Sequence, residues 1–231
     1  MCASVDGEHR SSAQSWKAMN HQETLDKLLK EGIVAVIRMA DRGKVVRVAK
    51  AIADGGVKCL EVTMTVPGAI EVIAELTSAV TSDILVGAGT VLDEQKAAQV
   101  IRAGAKFVVS PIFNPGVLEM CKKNGTVCIP GCFSPTEIYT AWAAGADIIK
   151  VFPARNLTPK FFKDIAGPFP QIKLMPTGGV TIENAGEWRA AGAVAIGIGT
   201  ELLDKKAIEE ERYSELTDRA KRLVRNFSGN S

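Results

Sequence analysis

The stretch Gly145-Ala146-Asp147-Ile148-Ile149-Lys150-Val151-Phe152-Pro153 sets a glycine suited to a helix end before a short apolar run that a proline then stops. A continuous apolar run of this length, without strict alternation, is the mark of a parallel strand buried on both faces. The same unit recurs on either side of it. Runs from Ile33 to Arg38, Val57 to Thr63, Ile84 to Ala88, Lys106 to Ser110, Val127 to Pro130, Asp147 to Phe152, Ile172 to Pro176 and Val194 to Ile198 make eight predicted strands, with helical segments between them. Gly56, Gly104, Gly125, Gly145 and Gly192 each close an amphipathic stretch just ahead of a strand, at roughly 20-residue steps through the middle of the chain.

Eight alternating units in a chain of 231 residues predict an α/β fold, a parallel eight-stranded (β/α)8 TIM barrel, in preference to an open doubly wound sheet. Gln22 to Glu31 reads as a helix that caps the barrel floor, and Ala207 to Asn226 as one long, charged last helix. Residues 1 to 19 read as a disordered tail, and residues 20 to 231 as a single domain with no linker.

Charge and cysteine usage narrow the function. Twenty-eight Lys and Arg against 26 Asp and Glu leave a net charge of +2 with no long block of one sign, so nucleic acid is not the expected partner. No apolar run reaches the roughly 20 residues of a membrane span, and the leader, with Asp6, Glu8 and Arg10 among serines, resembles no targeting signal. Cys2, Cys59, Cys121, Cys128 and Cys132 form an odd set without CxxC spacing, which predicts reduced thiols in a cytoplasm. Both histidines, His9 and His21, precede the first strand, so the body of the chain offers no His-rich metal site and the expected chemistry runs on lysine, carboxylate and hydroxyl groups without a cofactor.

Two ionisable residues interrupt apolar strands. An ammonium at Lys150 is costly to bury, and desolvation lowers its pKa and frees an amine able to attack a ketone; a lysine snorkelling from a strand end fits the same run. Glu61, inside Cys59-Leu60-Glu61-Val62-Thr63, lies near the strand end where barrel enzymes keep their active sites. It reads either as a general acid and base or as a structural ion-pair partner for Lys150 or Arg38. Pro176-Thr177-Gly178-Gly179 and Gly197-Ile198-Gly199-Thr200 read as glycine-bearing turns after strands seven and eight, where barrels often bind phosphate through backbone N–H groups. Gly87-Ala88-Gly89-Thr90 reads as an ordinary turn after strand three.

Taken together, Leu60-Glu61-Val62-Thr63, Val86-Gly87-Ala88-Gly89-Thr90-Val91, Ser110-Pro111, Ile129-Pro130-Gly131, Ile149-Lys150-Val151-Phe152-Pro153-Ala154 and Pro176-Thr177-Gly178-Gly179 resemble the 2-keto-3-deoxy-6-phosphogluconate (KDPG) aldolase family, in order and spacing, from about residue 22 to residue 205. The resemblance implies a metal-independent class I lyase. Lys150 would form a Schiff base with a small 2-oxo acid, and Glu61 would move protons. Arg38, Thr90, Pro111, Phe152 and Thr177 would bind the substrate, and Gly178, Gly179, Gly199 and Thr200 its phosphate. It also implies a homotrimer. Many members carry arginine four residues after the glutamate, where this chain has Thr65, and Arg38 is the candidate replacement. That exchange leaves open the preference among KDPG, its phosphogalactonate epimer and 4-hydroxy-2-oxoglutarate (KHG). A phosphosugar isomerase or epimerase, and a non-catalytic phosphosugar-binding barrel, are the competing functions.

Overall fold

The computed structural model describes residues 19 to 229, so residues 1 to 18 of the predicted N-terminal tail lie outside the described residues. Helix α1 (His21–Glu31) is followed by β1 (Ile33–Ile37), α2 (Val45–Asp54), β2 (Cys59–Thr63), α3 (Ala69–Ala79), β3 (Leu85–Gly89), α4 (Glu94–Arg102), β4 (Phe107–Val109), α5 (Pro115–Lys123), β5 (Val127–Ile129), β6 (Gly131–Cys132), α6 (Pro135–Ala143), β7 (Ile149–Val151), α7 (Pro159–Ala166), β8 (Leu174–Pro176), α8 (Ala185–Ala190), β9 (Ile196–Ile198), α9 (Lys205–Glu209) and α10 (Tyr213–Ser228).

All strand pairs are parallel, in a sheet of six ordered β5-β4-β3-β2-β1-β9 and a sheet of three ordered β6-β7-β8. Each predicted strand overlaps an observed one; seven of the eight runs contain a shorter strand, and the third is shifted, with β3 running on to Gly89. The run through Pro130 is split into β5 and β6 because proline has no N–H to give the ladder. Its carbonyl still accepts from Lys150 N–H at 2.9 Å, and Thr177 bridges to Gly197, so the two sheets touch at both margins.

Alternation along the strands sorts the core. Ile33, Ala35 and Ile37 of β1, Leu60 and Val62 of β2, and Ile149 and Val151 of β7 face the helices. The intervening positions gather on the other side in a second cluster, with Val34, Cys59, Leu85, Phe107, Val127, Ile148, Met175 and Ala195 joined by Leu25 and Leu28 of α1. α1 is held at its start by a capping box, in which Asn20 accepts from Glu23 N–H and Glu23 accepts from Asn20 N–H.

Five helices end alike. After α2, α4, α5, α6 and α8 the chain passes through Gly56, Gly104, Gly125, Gly145 or Gly192, with φ between 59° and 103°, and the next N–H reaches back into the last helical turn. Ala105 N–H to Val100 O at 3.0 Å and Ala146 N–H to Ala141 O at 3.1 Å are examples of this Schellman closure, at the five glycines the sequence marks.

The predicted last helix is two. α9 stops where Arg212 N–H bonds Ala207 O at 2.8 Å and Glu211 takes a left-handed φ of 56°, and α10 starts at Tyr213. On either side of the break, Ala207 and Ile208 of α9 and Leu216, Ala220, Leu223 and Phe227 of α10 bury in the same core cluster. α10 packs on α2, where Gly55 leaves room for Ala220. Among the described residues no helix is long and apolar enough to cross a membrane.

Candidate active site

Glu61, Lys150 and Thr177 stand two residues beyond Cys59, Ile148 and Met175, all three of which belong to the second core cluster, so the period-two pattern turns their side chains inward toward the strand C-termini. Lys150 lies opposite Gly131 and Met175 in the ladder, and Glu61 opposite Val36 and Gly87. Their strands are not neighbours; the curl of the sheet brings the two groups within electrostatic reach of each other. Lys150 is 5% exposed and Glu61 1% exposed, both far below the norm for charged side chains.

Burial is the main influence on both. It pushes the Lys150 ammonium below its ordinary pKa, with Arg38 adding to the shift and the Glu61 carboxylate opposing it. Burial also pushes the Glu61 carboxyl up, with Lys150 and Arg38 opposing. Each therefore leans toward its neutral form, which gives a nucleophilic amine beside a carboxyl able to hold or release a proton. The structural ion pair weighed for Glu61 does not form: neither carboxylate oxygen has a hydrogen-bond partner, and among the described residues no salt bridge joins it to Lys150 or Arg38. The Lys150 Nζ instead sits 5.1 Å from the centroid of the Phe152 ring, in cation–π range.

The remaining predicted residues frame this pair unevenly. Thr177 is buried with its Oγ1 unpartnered. Thr90, half-buried at the end of β3, holds a left-handed φ of 59°, strained for a β-branched residue. Arg38 is exposed one residue past β1, and Thr65 is exposed with its hydroxyl 2.7 Å from that of Thr63. Pro111 and Phe152 line a groove of about 430 Å³ with Ile112, Gly131, Cys132 and Phe133. Neither Lys150 nor Glu61 lines it, so this groove lies beside the amine and not over it.

Gly178 and Gly179 take φ of 79° and 104°, the first packed against the Phe152 ring and the second against the backbone of Arg155. Leu202 and Leu203 N–H both donate to Gly199 O at 2.9 Å, which folds the Gly199-Thr200 segment into a tight turn. Gly197, assigned from sequence to that turn, belongs to β9 and makes room for Thr177.

The glycines of Gly87-Ala88-Gly89-Thr90 likewise belong to β3 and not to a turn. Gly87 accommodates the Phe107 ring and Gly89 the Glu61 carboxylate. Gly89 is the site residue that sequence reading missed. The signal was a glycine in phase with inward positions of a strand, next to a strand carrying a lone carboxylate.

Residues 25 to 219 match the family model described as KDPG and KHG aldolase. The chain is 36% identical over 196 residues to a 2-dehydro-3-deoxy-phosphogluconate aldolase of Treponema pallidum, covering 84% of this chain and 91% of that one. It is 33% identical over 207 residues to the KHG/KDPG aldolase of Escherichia coli K12, covering 89% and 97%. A solved KDPG aldolase from Legionella pneumophila, with pyruvate captured as a covalent carbinolamine intermediate, superposes with a TM-score of 0.79 at 30% identity, covering 87% of this chain and 97% of that one.

Proposed function

This chain belongs to the KDPG and KHG aldolase family, and on that premise we propose that Lys150 is its Schiff-base lysine and Glu61 its general acid and base. The protein is a lyase of the class I aldolase type. The single observation that carries the residue assignment is the buried, unpaired Glu61 carboxylate facing the same interior as a buried lysine whose ammonium is destabilised.

In the proposed reaction the neutral Lys150 amine attacks C2 of the 2-oxo acid, and water leaves with protons passed through Glu61. The protonated imine withdraws electrons. Glu61 takes the C4 hydroxyl proton, the C3–C4 bond breaks, and its electron pair is held as the pyruvate enamine. From KDPG the released aldehyde is glyceraldehyde 3-phosphate; from KHG it is glyoxylate. Protonation of the enamine and hydrolysis of the imine return the lysine. No metal or cofactor is assigned a step.

Thr90 and Thr177 offer hydroxyls to the 2-oxo acid, and Phe152 and Pro111 pack beside it. Arg38 takes the carboxylate that Thr65 cannot. Gly178, Gly179, Gly199 and Thr200 hold the phosphate through backbone N–H groups and a hydroxyl. We further infer one closed eight-stranded (β/α)8 barrel domain from residue 20 onward, with α1 capping its floor; the Thr177–Gly197 bridge, the Pro130 carbonyl bonded to Lys150 N–H, and Leu25 and Leu28 among the strand residues support it. A homotrimer in the cytoplasm completes the reading; the exposure of Leu92, Ile112 and Phe133, with Ile112 and Phe133 lining one groove, supports the assembly.

The test is direct. Incubation with pyruvate, borohydride reduction and peptide mass spectrometry should place the adduct on Lys150, and a coupled assay should show cleavage of KDPG or KHG. Turnover with an unmodified Lys150 would refute the assignment.

A further inference from the structure

Arg155 follows β7 in the 3-10 turn Ala154–Asn156, whose first residue is tied to the end of β8 by Ala154 N–H to Thr177 O at 2.9 Å. A side chain on Gly179 would run into the N, Cα and Cβ of Arg155, so the arginine stem begins directly against the Gly178-Gly179 turn. Arg155 is exposed, and no carboxylate or carbonyl among the described residues engages its guanidinium. Arg42 is exposed too, but its guanidinium lies against Gly68, where a side chain would also meet Glu71.

A guanidinium with free N–H donors, rooted beside the turn of two left-handed glycines assigned above to the phosphate, is chemically matched to a phosphate ester, which it can grip through two parallel hydrogen bonds. We propose that Arg155 is a specificity-determining residue that binds the phosphate group of the substrate and biases the enzyme toward phosphorylated 2-oxo acids over unphosphorylated ones. The inference rests on the aldolase reading and on the assignment of Gly178 and Gly179 to the phosphate. It places a charged contact outside the backbone turns, so loss of the arginine weakens phosphate binding without disturbing the amine.

The experiment compares parent, Arg155→Gln and Arg155→Lys on KDPG and on KHG, with pyruvate trapping of Lys150 as a control. Arg155→Gln is expected to lower kcat/KM on KDPG about tenfold, mainly through KM, and to leave KHG within about twofold, with Arg155→Lys in between. Inorganic phosphate is expected to compete less well against KDPG in the Gln variant. An equal loss on both substrates, or no loss on KDPG, overturns the inference while leaving the aldolase reading intact if pyruvate still traps on Lys150. Absence of the adduct in the parent protein overturns both.

Discussion

The carboxylate of Glu61 lies directly over the α-carbon of Gly89, so closely that a methyl group at that position would occupy the space of Oε1. Gly89 pairs with Thr63 on the adjacent strand, so the gap it leaves is built into the sheet. Gly89→Ala is expected to displace the carboxylate and cut kcat about as strongly as loss of the carboxylate itself, while pyruvate still traps on Lys150. Steady-state kinetics with borohydride trapping checks it, and an active Gly89→Ala enzyme would show that the carboxylate does not need this seat.

Glu61→Gln should slow turnover about 100-fold to 10,000-fold, the usual worth of general acid–base help. Imine formation should persist and shift in pH. The Glu61 charge opposes the lowering of the Lys150 pKa, so removing it lets that pKa fall further, and half-maximal trapping should move to lower pH. A shift to higher pH would contradict the electrostatics.

The same substitution should stabilise the fold at neutral pH. Glu61 has its folded pKa raised, so the native state binds the extra proton between the ordinary value of 4.5 and the raised one, and stability contributed by this site falls as pH rises through that window. Above it the buried, unpaired carboxylate is a net cost. Glu61→Gln should therefore raise Tm by about 2–10 °C at pH 7, from about 1–3 kcal/mol, with the gain vanishing below pH 4.5. Thermal melts across pH check both the sign and the window.

Phe227 anchors the last helix. It is buried against Gly32, where a side chain would strike its ring, and Arg189 lies 5.1 Å from the ring centroid while donating to the Phe227 carbonyl at 2.8 Å. Phe227→Ala should cost about 3 kcal/mol, read as a lowered urea midpoint with kcat unchanged in the remaining folded protein. An unaltered midpoint would mean that the C-terminal helix contributes little to the fold.

Much of this molecule was legible in the chain because parallel strands buried on both faces leave continuous apolar runs, and glycine at a helix end leaves a point mark. Strand edges were less legible. Val57, Ile84 and Asp147 extend apolar or loop sequence past the ladder, and nothing in residue type says where hydrogen bonding begins. The divided last helix was hidden because Glu211 has no local feature that announces a left-handed turn. Lys150 and Glu61 stood out as charges among apolar neighbours, whereas Gly89 matters through what its neighbour needs, a relation between strands that one segment cannot display.

The five matching glycine closures all deliver the chain into the beginning of a strand, so on that side the path is dictated by backbone geometry that tolerates few other residues. The opposite rim, where strands run out into Thr90, Arg155 and the Gly178-Gly179 segment, carries no such shared constraint. Substrate range can therefore drift, or be re-engineered, by exchanging rim segments while the returns beneath keep those five strands at their height.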